Sequence, residues 1–103
     1  MAGFHSAFDL AATTNTTIRT VTAGTTASYS VNFVNRNSTP ATVTFAMSAA
    51  SATPTNAELS MINMIIPENG VIERTGCIAT TGKLVVVNSS HANVSAQIYG
   101  FED

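Results

Sequence analysis

Hydrophobic and polar residues alternate along most of this chain, in short runs that polar turns separate. The clearest run is 27–35, where Tyr29, Val31 and Phe33 alternate with polar residues. Successive side chains of a β-strand point to opposite faces, so this pattern predicts a strand with one buried face. Similar runs predict seven or eight strands, at 7–12, 16–22, 27–35, 41–48, 58–66, 71–79, 83–88 and 93–101.

The spacing of the turns indicates the fold class. Turn signals such as Pro67-Glu68-Asn69-Gly70 recur about every dozen residues, which is typical of a β-sandwich of short antiparallel strands. A chain of 103 residues fits one such domain, and no composition shift marks a boundary within 1–103. The segment 58–66 stays open, because its apolar spacing also suits a short helix, although the adjoining Pro67 favours a strand.

Charge and composition restrict the partners. About a third of the residues are Thr, Ser or Asn, and only 10% are charged, against about 25% in ordinary domains. Four dispersed cations and a net charge of −2 do not form the basic patch that nucleic acid or an anionic membrane requires. The sequence therefore predicts no nucleic-acid or membrane partner. Residues 1–10 lack the features of a signal peptide, which predicts synthesis and retention in a cytoplasm.

Candidate chemistry is sparse. His5 and His91 lie far apart in the sequence, the six carboxylates are scattered, and Cys77 is the single cysteine, predicted to be a small buried residue. Met47, Met61 and Met64 are predicted to fill the core. We expect no catalytic residue, no metal, no cofactor and no small-molecule substrate. A small enzyme or copper protein remains the alternative from a different class.

Three segments are candidates for contact with other proteins. Residues 1–6 could form an N-terminal arm that contacts a neighbour through Phe4 and His5, or a frayed end. The loop 49–57 has no periodicity and is the longest excursion. The third segment is the turn that carries Glu68, Asn69, Glu73 and Arg74, although an ordinary ion pair is an alternative role for the last two.

The chain also resembles a known group of proteins over nearly its whole length. It resembles small virion structural proteins of tailed bacteriophages, notably of cyanophages. The residues that carry the resemblance are Ile66 to Gly76, Gly82 to Ser90, Asn93-Val94-Ser95, Gly100-Phe101-Glu102, Phe8-Asp9-Leu10 to Thr17, Tyr29 to Asn32, and Asn35-Arg36.

This resemblance implies an immunoglobulin-like β-sandwich without enzymatic activity, present in many copies on the virion. We expect a capsid decoration, or cement, protein that binds the major capsid protein and copies of itself, for example as a trimer, on the capsid surface. The alternative is a tail, neck or fibre-associated module of the virion that binds a host surface.

Overall fold

A computed structural model describes residues 2–49 and 51–103, and these form eight β-strands and one short 3-10 helix. The predicted all-β class and strand number are confirmed, and the segment predicted at 58–66 is a strand, rather than a helix, from Leu59 to Ile66. No helix within the described residues is long and apolar enough to cross a membrane. The elements are β1 (Ala2–Leu10), β2 (Thr16–Thr20), β3 (Ala27–Asn35), β4 (Ala41–Ser48), the 3-10 helix (Asn56–Glu58), β5 (Leu59–Ile66), β6 (Val71–Ala79), β7 (Leu84–Ser89) and β8 (Val94–Glu102).

The strands form two antiparallel sheets of four strands each. The first sheet has the order β1-β8-β3-β6 and the second the order β2-β7-β4-β5. This is the order of a jelly roll, in which two Greek keys alternate between the sheets. It differs from the immunoglobulin order that the resemblance implies, because there the first two strands are neighbours in one sheet. Here β1 and β2 lie in different sheets.

The chain can be described as one long hairpin that wraps around a core. Its successive antiparallel pairs are β1 with β8, β2 with β7, β3 with β6, and β4 with β5. Pairing of β3 with β8 and of β4 with β7 then completes the two sheets. The edge strands β1 and β2 border one side of the sandwich, the β1–β2 side. The edges β5 and β6 border the opposite one, the β5–β6 side.

The core lies between the inner faces of the two sheets. Val31, Phe33 and Phe45 are almost completely buried there, as the alternation in β3 and β4 predicts. The rings of Tyr29 and Phe45 come from different sheets and pack edge to face, with centroids 6.3 Å apart. Such contacts between large side chains fix the spacing of the sheets, since aromatic pairs favour this geometry.

The structure differs from the predicted N-terminal arm. Residues 2–6 belong to β1, which pairs with β8 from Ala2 opposite Glu102 to Leu10 opposite Val94. The physical reason is that Phe4, Phe8 and Leu10 share the inner face of one strand and pack on the core or within it. In the sequence this periodicity is hard to recognise, because the alternating positions include small residues such as Ala2 and Gly3. Met1 lies outside the described residues.

The loop 49–57 is held by one carboxylate. Glu58 Oε1 accepts a hydrogen bond from Thr55 N at 2.9 Å, and Glu58 Oε2 accepts one from Ala49 N at 2.7 Å. These two backbone N–H groups lower the pKa of Glu58, Thr55 contributing most. Ala50 lies outside the described residues. A contact of this loop with another protein stays a prediction.

A buried amide ties β3 to the turn between β5 and β6. Asn35 is fully buried at the end of β3, and its Nδ2 donates to the carbonyl oxygens of Thr39, Ile66 and Pro67 at 2.9, 3.1 and 3.2 Å. Its Oδ1 accepts from the backbone N–H of Asn37 at 3.0 Å. Because both ends of the amide are satisfied, the side chain can be buried without a net penalty. Asn35 thereby positions the turn that carries Glu68 and Asn69.

Candidate functional site

The β1–β2 side of the sandwich is closed by a charged cluster. Arg19 on β2 contacts Glu102 on β8, with 2.7 Å between Nη2 and Oε1, and Thr22 Oγ1 donates to Glu102 Oε2 at 2.9 Å. The Arg19 guanidinium also lies 4.0 Å from the ring centroid of Phe4. Burial alone would raise the pKa of Glu102, but the hydrogen bonds from Arg19 and Thr22 and the charge of Arg19 lower it. The carboxylate is therefore satisfied within the protein.

The β5–β6 side, by contrast, exposes hydrophobic side chains. Among the described residues, most of the large hydrophobic side chains that are exposed lie on these two edge strands, and their exposed fractions range from 41 to 68%. They are Ile62, Met64 and Ile65 on β5 and Val71 and Ile78 on β6. Edge strands of soluble proteins normally carry charged or polar side chains. An apolar rim along two neighbouring edges is typical of a protein interface.

A narrow cleft of about 150 Å³ opens between the two sheets on this side. Tyr29, Phe45 and Met47 line it from the core, and Cys77 and Arg74 line it from β6. Burial raises the pKa of both the Tyr29 hydroxyl and the Cys77 thiol. The cleft therefore disfavours the charged forms of these two groups, and polar residues such as Ser60, Arg74 and Thr75 also line it.

Both edges are interrupted by a β-bulge. In β5, Asn63 has a positive φ of 47°, and the pairing with β4 shifts next to Thr44. In β6, Gly76 has a φ of 70°, and the pairing with β3 shifts next to Ser30. A bulged edge cannot support a long regular ladder with an added strand. A partner on this side would therefore be contacted through side chains.

The predicted contact residues are dispersed over the molecule. Phe4 faces inwards on the β1–β2 side and contacts Arg19, whereas His5 lies on the outer face of β1. The structure brings Glu68, Asn69 and Arg74 to the turn and edge of the β5–β6 side.

Glu73 and Arg74 lie on opposite faces of β6, because Glu73 pairs with outward Asn32 and Arg74 with buried Val31. The Glu73 carboxylate accepts a hydrogen bond from the Tyr99 hydroxyl on the outer face of the first sheet. Contact of the six residues with a partner stays a prediction.

Sequence reasoning did not identify the apolar rim. Met64 was expected in the core, but 41% of its side chain is exposed, and Cys77 is only half-buried at the cleft. The available signal was the run 58–66, which is apolar on both faces. Such a run predicts a central strand or a helix, unless its outer face is covered by another molecule.

Comparisons with known proteins assign no family to the chain. No protein-family model matches it, and no curated protein or solved structure shows significant similarity to it. Residues 2–49 and 51–103 also contain no cluster of three metal-binding side chains. The function has to be inferred from the surfaces of the sandwich.

Proposed function

We propose that the chain is a non-enzymatic structural protein of a bacteriophage virion, which docks on the capsid as a decoration protein through its β5–β6 side. The observation that supports this most is the contrast between the two sides. The β1–β2 side is closed by Arg19 and Glu102 within the chain, whereas the β5–β6 side exposes Ile62, Ile65 and Ile78. A free monomer gains nothing from exposing these residues, whereas a docked one buries them.

The energy of docking would come from apolar burial. Removing apolar surface from water contributes about 25 cal/mol per Å². A stable interface buries about 800 Å² on each partner, with the apolar residues at its centre. Residues such as Ile65, of which 68% is exposed, would form that centre, and Glu68 and Arg74 would lie at its polar rim.

The low charge of the chain fits the same role. With 10% charged residues, an interface on this surface buries few ions and depends little on salt. The partner is then an uncharged surface of the major capsid protein, alone or at a seam with further copies of this chain. A domain bound across a seam stabilises the assembled shell, because it binds the assembled state and not the free subunits.

The fold is compatible with this role. Jelly rolls occur in viral capsid proteins, in lectins and in cupins, and a fold alone does not fix a function. The virion assignment comes from the sequence resemblance, and the docking side from the exposed rim.

The first experiment is quantitative mass spectrometry of virions of the phage that encodes the chain, intact and after removal of the tails. A decoration protein stays with the heads in hundreds of copies. If it leaves with the tails in a few copies, the tail, neck or fibre alternative replaces the decoration role. If it is absent from virions, the virion function is wrong.

The docking side is tested separately, with heads from a phage that lacks the gene. Recombinant protein is added, and bound protein is measured after sedimentation of the heads. We expect Ile62→Ser combined with Ile65→Ser, both on β5, to abolish binding, while the control Phe101→Ser, which changes a similarly exposed residue on the other sheet, binds like the parent. If the double variant binds the heads as well as the control and the parent do, the β5–β6 side is not the docking surface.

A further inference from the structure

The outer face of the first sheet forms a second surface, which adjoins the β5–β6 side where Ile78 of β6 pairs with Ser28 of β3. Strand pairing places its outward residues in rows that cross β1, β8 and β3. The successive rows are Gly3, Phe101 and Ser28; then His5, Tyr99 and Ser30; then Ala7, Gln97 and Asn32; and finally Asp9, Ser95 and Val34. The face therefore passes from aromatic rings at one end to polar groups at the other.

Two aromatic rings form one half of the face. Phe101 and Tyr99 are 54% and 37% exposed and follow each other on the same face of β8, about 7 Å apart along the strand. The row neighbours of Phe101 are the small residues Gly3 and Ser28, which leave the ring accessible. A Cβ on Gly3 would lie 3.5 Å from Phe101 Cε1, so a larger residue there would cover the ring.

The Tyr99 ring is held in place by its neighbours. Its hydroxyl donates to the Glu73 carboxylate, and its ring packs edge to face with His5, with centroids 6.2 Å apart. His5 in turn shares a hydrogen bond of 3.0 Å between its Nε2 and Gln97 Oε1. A ring that is already ordered loses little entropy when a ligand stacks on it.

The polar half of the face is a shallow depression of about 380 Å³. It is lined by Asp9, Arg36, Ser95 and Gln97 with the apolar edge of β1. Arg36 donates to the Asp9 carboxylate, and its Nε donates to Ser95 Oγ at 2.9 Å. The side chains of Arg36 and Asp9 are nevertheless 44% and 72% exposed, so they are fixed and still accessible.

A hydrogen-bond acceptor next to this depression has no partner. Asn32 Oδ1 is buried and is the only buried side-chain oxygen or nitrogen without a hydrogen bond among the described residues. Its row neighbours are Gln97 on one strand and Glu73 on the other. Buried polar atoms are rarely left unpaired, so a water or ligand hydroxyl that reaches this oxygen would supply its missing hydrogen bond.

We propose that this outer face, centred on β8, binds an extended, uncharged oligosaccharide. The apolar C–H face of one pyranose ring stacks on Phe101 or Tyr99. The hydroxyl groups of following sugar units bond to the carboxylate of Asp9, the guanidinium of Arg36 and the amide of Gln97. From Phe101 to Ser95 the strand covers about 20 Å, enough for several sugar units.

The charges of the face exclude other ligand classes. Asp9 and Arg36 neutralise each other, and Glu73 is bonded to Tyr99, so no cluster of cations is left for an acidic sugar or a phosphate. Four of the six residues that line the depression are polar, which distinguishes it from the apolar rim on the β5–β6 side. Paired donors and acceptors at fixed positions match the neighbouring hydroxyl groups of a sugar ring.

The experiment is a glycan array that carries neutral and acidic oligosaccharides, both from bacterial envelopes and from soluble storage polysaccharides. The purified full chain is applied first, and each retained sugar is then titrated by calorimetry as a soluble oligosaccharide. We expect binding of neutral sugars only, and the array position of the retained sugars identifies their source. Retention of acidic sugars alone, or of no neutral sugar, would overturn the proposal.

Variants locate the binding to this face. Phe101→Ala and Asp9→Ala, both at exposed positions, are expected to weaken the affinity by about tenfold or more each. Ile65→Ser, on the other sheet, is the matched control and is expected to bind like the parent. Equal affinity of all three variants would place the sugar elsewhere and contradict the proposal.

The inference does not depend on the virion role. Sugar binding is measured on the isolated chain and involves residues of β1, β8 and β3, whereas docking is measured on heads and involves β5 and β6. Loss of one activity in a variant without the other separates the two surfaces.

Discussion

Arg19 and Glu102 lie 83 residues apart in the chain, and their ion pair joins β2 of the second sheet to β8 of the first. It is therefore a contact between the sheets rather than within one. With Phe4 and Thr22 it closes one side of the sandwich, and this closure makes the exposure of Ile65 and Ile78 on the other side distinctive.

The first prediction concerns this ion pair. Glu102→Gln keeps the size of the side chain but leaves Arg19 without its counter-charge, so we expect a loss of about 1–3 kcal/mol in the free energy of unfolding at pH 7. The folded protein lowers the pKa of Glu102 below its ordinary value of 4.5. The unfolded chain therefore takes up the proton first on acidification. The stabilisation is present above about pH 4.5 and is lost as the pH falls through the folded-state pKa.

Urea denaturation at pH 7 and pH 3 measures this effect. The difference in free energy of unfolding between the parent and Glu102→Gln should shrink at the lower pH. Glu73→Gln is the matched control, because it makes the same chemical change at an exposed position, and a change below about 0.5 kcal/mol is expected. A pH-independent difference for Glu102→Gln would show that the charge of Glu102 contributes nothing.

The second prediction concerns the buried amide of Asn35. Asn35→Ala removes hydrogen bonds to the carbonyl oxygens of Ile66 and Pro67 and leaves a small cavity. We expect a loss of roughly 2–4 kcal/mol in the free energy of unfolding, measured by chemical denaturation. Asn88→Ala, which removes a single exposed hydrogen bond to Asn15, is expected to change it by less than about 1 kcal/mol. Similar losses for both variants would contradict the structural role of Asn35.

The third prediction concerns the contact of β8 with β3. A Cβ on Gly100 would lie 2.0 Å from the carbonyl oxygen of Ser28 and 2.7 Å from Tyr29 Cα. Gly100→Ala must therefore push two paired strands apart, and we expect a loss of about 3 kcal/mol or more, or failure to fold. Gly3→Ala meets only ordinary contacts with Phe101 and should fold normally, which thermal unfolding monitored by circular dichroism would show. A stable Gly100→Ala variant would contradict the pairing of these strands.

The fourth prediction concerns the thiol at the cleft. Burial raises the pKa of Cys77 above its ordinary value of 9.0, so little of the reactive thiolate is present near neutral pH. We expect alkylation by iodoacetamide at pH 7.5 to be slower in the folded protein than in urea, and to accelerate as the pH rises above 9. If the β5–β6 side docks on heads, bound protein should react more slowly still, and an unchanged rate would argue against docking there.

The sequence predicted the strands well where one face is buried and the other solvated. The bounds of β3 and β4 match the prediction, since alternation along them is regular and each lies inside its sheet. The order of the strands could not be predicted, because alternation tells which face is buried but not which strand is the neighbour. Glu102 illustrates this limit: in the sequence it is a charge near Asp103, and only the pairing with β3 and β1 brings it to Arg19.

The candidate surfaces were harder to predict for a related reason. The apolar rim belongs to strands whose outer faces look like core residues in the sequence, and only the position of β5 and β6 at the edges exposes them. The face around Phe101 combines residues from β1, β3 and β8, which are separated by up to about a hundred residues. A sequence pattern contains no signal for such a combination until the sheet order is known.

The wrapped hairpin has a consequence for the order of folding. β8 lies between β1 and β3 in the first sheet, so neither strand has this neighbour until the chain has been synthesised to Glu102. On the ribosome, β1 therefore emerges first and remains without a partner for the longest time. The hairpin of β4 and β5 can close early, since its two strands follow each other in the chain and only residues 49–58 separate them. Folding then proceeds from this tip towards the two ends, and the strand that is made first is the last to pair.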